Sequence, residues 1–240
     1  KKITIDPAML VYLNGDENRL NAPNENYARE LLELFTIGKG ALAGPGDYTT
    51  FTEDDVVAAA KVLTGWRVFG FGSRQDGEPY GVFVNPQHDK TVKQFSERFN
   101  NTTIRNNGEN EYADLVDMIF DQDEVSRFIC RKLYRWFVYY DINEEVEANI
   151  IEPMAELLRQ NNYVIEPVLK VLLKSNHFFN ICSVGPMIKN PLDFITYLFR
   201  QFDVQLPQNN IRAQYGALSQ LNRVFETLEM VYFQPPNVAG

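Results

Sequence analysis

Two histidines, two cysteines and two tryptophans in 240 residues leave the chain short of the side chains most often used for catalysis and metal capture. There is no Cys-x-x-Cys and no His-Glu-x-x-His, so the common zinc spacings are excluded. The serine elbow Gly-x-Ser-x-Gly is absent too. With only Cys130 and Cys182, one intramolecular disulfide is the maximum, and Cys130 falls beside the apolar stripe of a helix, where a buried free thiol is expected. No apolar run reaches the ~18 residues of a membrane span. An excess of positive charge is also missing: the formal charge is −9, which argues against nucleic acid or an anionic membrane as partner. Internal repeats, low-complexity tracts and a clean linker are likewise absent.

Apolar residues make up 45% and aromatics 13% of the chain, the composition of a packed globular protein. The pattern is mainly helical. Pro7–Leu13 reads as a short helix capped by Asp6, with proline at its first position. Asn24 to Ile37 reads as a second, with Asn24 as cap and Gly38 as stop. At about 100° per residue, Tyr27, Ala28, Leu31, Leu32, Leu34 and Phe35 share an apolar arc, opposite Glu25, Asn26, Arg29, Glu30 and Glu33. Thr52-Glu53-Asp54-Asp55 opens a further helix as a capping box. Residues 66–104 alternate glycine, aromatic and β-branched residues, predicting a small β-hairpin insertion with a loose turn at Gln75–Pro79. Segments 109–121, 123–140, 143–161, 164–176, 190–203 and 209–231 are helical in period. Pro153 falls inside one of them and predicts a bent or split helix. The expectation is therefore one multi-helix, bundle-like domain over 1–240 with a β-containing insertion at 66–104.

The candidate chemistry is rich in oxygen. Asn26, Glu30 and Glu33 lie at i, i+4 and i+7, either as a solvated face or lining a polar cleft. If Glu30 and Glu33 meet His88-Asp89 in space, the four form a candidate acid–base site. Glu30, Glu33 and His88 would then be ligands for a divalent metal. Asn26, Arg29 and Trp66 are candidate substrate-binding residues. Arg29 between Glu25 and Glu33 is equally an architectural clamp, and the spacing leaves clamp and site both open. His177, among aromatics at a helix end, reads as structural. Arg127, Arg131 and Arg135 form a basic stripe expected to pair with acidic helix faces. The glycine-rich stretch Gly38–Tyr48 lacks the Gly-Lys-Ser/Thr of a phosphate loop.

Asn24-Glu25-Asn26-Tyr27-Ala28-Arg29-Glu30-Leu31-Leu32-Glu33-Leu34-Phe35-Thr36-Ile37-Gly38 closely resembles the signature of the bacterial family called domain of unknown function 1800. So do, in order, Thr52-Glu53-Asp54-Asp55-Val56, Ala59 to Trp66, His88-Asp89, Phe128 to Leu133, Lys189-Asn190-Pro191 and Gln234 to Gly240. The resemblance spans nearly the whole chain. It departs in a longer Gly38–Tyr48 loop and in the stretch after Lys90. It implies the C-terminal part of a longer exported, envelope or secreted bacterial protein whose signal peptide lies outside these residues. It also implies a partner, a co-encoded sulfatase-like protein, and carries over no reaction and no cofactor. The expected role is a binding or structural component acting with a partner. The alternative is a metal-assisted hydrolase acting on a glycan or its ester substituents.

Overall fold

Capping chemistry places the first helices where the sequence puts them. A computed structural model describes residues 1–70, 77–180, 185 and 188–231; Cys182, the first two residues of the Gln75–Pro79 turn and the Gln234–Gly240 motif fall outside them. Helix α1 (Pro7–Tyr12) starts at Asp6, whose side chain accepts from the Ala8 amide. Helix α2 (Asn26–Glu30) continues into a π-helical turn, Leu31–Thr36. Asn24 sits one residue ahead of the cap position and accepts from the Asn26 amide. The π turn corrects the arc: Tyr27, Ala28, Leu31 and Leu32 are buried, but Phe35 is 37% exposed. A π turn holds more residues than 3.6, so the 100° rule fails beyond Leu31.

Gly38 ends this element at φ +76°, with its amide on the Leu32 carbonyl at 2.9 Å. A Cβ there would meet the Phe128 ring at 2.5 Å. Gly38→Ala should therefore cost about 2 kcal/mol, combining left-handed strain with displacement of a packed ring. A urea titration gives the value. A loss under about 0.5 kcal/mol would mean Phe128 yields freely.

Strands β1 (Leu42–Gly44) and β2 (Asp47–Tyr48) pair antiparallel before α3 (Glu53–Val62). The capping box forms: Thr52 accepts from the Asp55 amide at 3.2 Å, and Asp55 accepts from the Thr52 amide at 2.8 Å. The β region consists of two short hairpins, β3 (Trp66–Phe69) with β4 (Tyr80–Phe83) and β5 (Lys93–Gln94) with β6 (Thr103–Ile104). Helices α4 (Glu111–Phe120), α5 (Asp123–Phe137), α6 (Glu144–Val146), α7 (Glu152–Gln160), α8 (Ile165–Lys174), α9 (Pro191–Gln201) and α10 (Ile211–Thr227) follow. A second π-helical turn, Glu147–Ile151, stands before Pro153. Proline offers no N–H to the Asn149 carbonyl, so the register changes there, as the sequence predicts.

Where the sequence shows no linker, the chain falls into two compact units, Lys1–Phe137 with Asp141–Lys174 and Val138–Tyr140 with Ser175–Gly240. The first holds the main core, from Leu10 and Leu13 through Tyr27, Leu32, Phe51, Val56, Phe95 and Phe99 to Leu115 and Ile119. No described helix is long and apolar enough to cross a membrane.

Candidate functional site

The densest polar chemistry in the first unit is buried around His88. Gly65, at φ +95°, turns the chain out of α3, and a Cβ there would stand 3.1 Å from the His88 Cβ. That close approach brings Thr64 and His88 together. The His88 Nδ1 faces the Thr64 carbonyl at 2.9 Å and the Thr64 hydroxyl at 3.2 Å. That hydroxyl donates to the Lys61 carbonyl and accepts from the Asp89 amide. On the other side, the His88 Nε2 lies 2.8 Å from Glu111 Oε1. The second carboxylate oxygen accepts from Lys93 Nζ at 2.6 Å, and Lys93 also donates to the Asp89 carbonyl. The Asn107 amide adds a bond to Glu111 Oε1 at 3.0 Å. Phe83 packs on the imidazole at 5.1 Å.

All of these side chains are out of solvent: Thr64, His88, Lys93 and Glu111 are at most 1% exposed and Asp89 6%. Burial on its own raises the Glu111 carboxyl, but the bonds from His88, Lys93 and the Asn107 amide hold it below the usual carboxylate range. Asp89 is likewise held low against burial, by the Thr91 hydroxyl and amide and by the charges of Lys93 and Lys61. An ionised carboxylate so paired satisfies the condition for burying a charge. The cluster ties the end of α3, the turn at His88, β5 and the first turn of α4 into one joint.

The residues expected around Glu30 lie in a different network. Arg29 forks onto Glu53, with bonds of 2.8 and 2.6 Å, and reaches Glu25 at 3.2 Å. The clamp is real, but Glu53 of α3 takes the place expected for Glu33. Glu33 instead pairs with Lys39 at 3.4 Å. The Glu30 carboxyl, half-buried, is pushed up by burial and then by Glu33. Asn26 donates to the Leu13 carbonyl at 3.0 Å, tying α2 to α1. Trp66 is 7% exposed, between Phe83 and Tyr112 at 5.5 and 5.7 Å, so it is core and offers no stacking face. Among the described residues no group of three or more His, Cys, Asp or Glu side chains is placed to hold a metal. Glu30, Glu33 and His88 do not form the ligand set their types invited, because His88 turns to Glu111 and Glu33 to Lys39.

Because the Arg29 fork is about a third exposed, Arg29→Lys should cost no more than about 1 kcal/mol in unfolding free energy. A loss above about 3 kcal/mol would show that this partly exposed pair is a principal tie between α2 and α3.

The basic stripe of α5 pairs as expected at two positions: Arg127 reaches Glu152 at 2.5 Å, and Arg131 reaches Glu147 at 2.5 Å and Glu124 at 2.5 Å. Cys130 is buried, and burial pushes its thiol up to about 12, away from any nucleophilic role. Lys93, Glu111, Thr64 and Asn18 escaped the sequence reading. One signal was available for Glu111: it shares a helical face with Leu115, Met118 and Ile119, a carboxylate on an apolar stripe. Asn18, 1% exposed, bonds the Ala60 carbonyl, the Asn24 amide and, through its own carbonyl, the Gly65 amide. No sequence pattern marks it.

No curated protein matches the chain, and no solved structure does. A family model described as "Protein of unknown function (DUF1800)" matches residues 1–240. The chain belongs to that family.

Proposed function

We propose that this DUF1800 chain is a binding component of an exported bacterial system and docks a partner protein on the apolar faces of α9 and α10. The observation that carries this reading is the exposure of those faces. No residue of α9 is buried, and in α10 only Phe225 is. Phe194, Tyr197, Phe202, Ile211, Tyr215 and Leu218 stand between 41% and 73% exposed. Large side chains of this kind offer on the order of 100 Å² each, so each helix presents a few hundred Å² of apolar surface, enough to contribute to one side of an interface. The largest apolar patch of an ordinary monomer is about 300–600 Å². Lys189, Arg200, Arg212 and Arg223 cancel Asp193, Asp203, Glu226 and Glu229 in this unit. A neutral, aromatic-bearing surface suits a protein partner and gives little hold on an anionic membrane, which rewards a basic face.

The buried joint at His88 supports the same reading. His88 and Asp89 are engaged in internal bonds and Glu33 pairs with Lys39, which weighs against the hydrolase alternative at those three positions. Glu30, its carboxyl pushed up by burial, is the member of that set still open to acid–base work.

The partner we propose is the co-encoded sulfatase-like protein. Calorimetric titration of the purified pair should show binding that changes less than about threefold between low and high salt. Phe194→Glu and Tyr215→Glu should each weaken it at least tenfold. Absence of binding, or binding indifferent to both substitutions, would contradict the proposal. Export is tested separately by fractionating cells of the source bacterium, with the protein expected outside the cytoplasm.

A further inference from the structure

A second feature, independent of the docking faces, is an apolar pocket of about 420 Å³ in the first unit. Its walls are Met9 of α1, Tyr27 and Leu31 of α2, Phe35 of the π turn, and Val116 and Phe120 of α4. Three of the polar groups that border it spend a proton within the protein. The Tyr27 hydroxyl donates to the Thr4 carbonyl at 2.9 Å, the Thr36 hydroxyl to the Leu31 carbonyl at 2.6 Å, and Lys1 at the rim to Asp117 at 2.6 Å. Burial pushes the Tyr27 phenol far up, so it stays neutral. The pocket thus asks its occupant chiefly for apolar surface, with the Thr4 hydroxyl the one bordering side-chain group for which these bonds do not account.

We infer that this pocket binds a neutral aromatic molecule of one or two fused rings. Size, polarity and wall chemistry agree on that class. The volume lies in the range of small-molecule sites, about 300–1,000 Å³, and an engineered apolar cavity of about 150 Å³ already takes benzene. Three walls are aromatic rings, which favour offset or edge-on contact with another ring. A fourth is the Met9 thioether, which adapts its shape and contacts ring edges favourably. Phe35, 37% exposed, stands at the mouth where a ligand would enter.

The probe is naphthalene, titrated into protein labelled with 13C in its methionine methyl groups. The Met9 methyl resonance should shift saturably, while the methyls of Met118 and Met154 stay in place. Val116→Trp fills the pocket and should weaken binding at least tenfold. Phe35→Lys removes the exposed aromatic wall at the mouth, keeps the buried walls intact and should weaken it about fivefold or more. The inference is overturned if Met9 shows no saturable shift, if all the methionines drift together, or if Phe35→Lys and Val116→Trp both bind as the parent does. Saturation by n-octanol without any by naphthalene would overturn the aromatic class.

Discussion

Lys93→Met is expected to lower the unfolding free energy by about 3–5 kcal/mol, the cost of leaving one half of a buried ion pair alone. Lys93 and Glu111 are both out of solvent and 2.6 Å apart. Without the ammonium, the carboxylate keeps only His88 and the Asn107 amide as partners. Glu111→Gln should cost a similar amount, because it strands the ammonium instead. Their double variant should cost less than the two losses added, by at least about 1.5 kcal/mol, since the second change removes the charge the first one stranded. Urea unfolding with an unchanged m value reports these energies. Single losses below about 1 kcal/mol would show that the pair does not hold the fold.

The pH dependence of the same joint has a fixed sign. Glu111 and Asp89 are held below the usual carboxylate range in the folded state. Their contribution is therefore complete above the unfolded carboxylate value of about 4.3 and is lost as pH falls through the lower, folded value. Parent protein should lose stability steeply below about pH 4, and Glu111→Gln less steeply over the same window. Parallel acid limbs for the two proteins would contradict this assignment.

Asp55→Ala should cost about 3–4 kcal/mol. The Asp55 side chain is fully buried and receives four bonds: the Thr52 amide and hydroxyl at 2.8 and 2.9 Å, and the Ser96 amide and hydroxyl at 2.7 Å each. One carboxylate thus caps α3 and holds the turn after β5. Loss of the cap accounts for about 1 kcal/mol, and each stranded buried amide for about 1–3 kcal/mol. Asp55→Asn keeps the shape and the acceptor oxygen, so it should lose less. Hydrogen exchange at the Ser96 amide gives a local readout and should accelerate in Asp55→Ala. An unchanged exchange rate would mean that the turn at Ser96 is held by other bonds.

How legible these features were depended on whether the responsible physics is local. The capping box at Thr52–Asp55, the stop at Gly38, the proline break near 153 and the helical segments after 107 were all readable, because each is set within one or two turns of chain. The partners of Arg127 and Arg131 were readable as a class, acidic faces, though not by number. The joint at His88 was not: its members stand at 64, 88, 93 and 111, and only the fold brings them into contact. His88-Asp89 drew attention because histidine is scarce here, whereas Lys93 hid in a two-residue strand and looked like any solvated lysine. Trp66 misled in the opposite direction, since an aromatic beside a glycine turn reads as a stacking surface and here closes the core. The π turn after Leu31 was invisible because no residue type demands it.

The central claim is that His88 is part of a structural joint and not a free base, and one substitution tests it most directly. His88→Gln removes the imidazole while keeping a polar side chain, and its urea midpoint should fall by an amount equivalent to about 1–3 kcal/mol with the m value unchanged. An unchanged midpoint would mean that the ring holds nothing in place, and would return His88 to the list of groups available for chemistry.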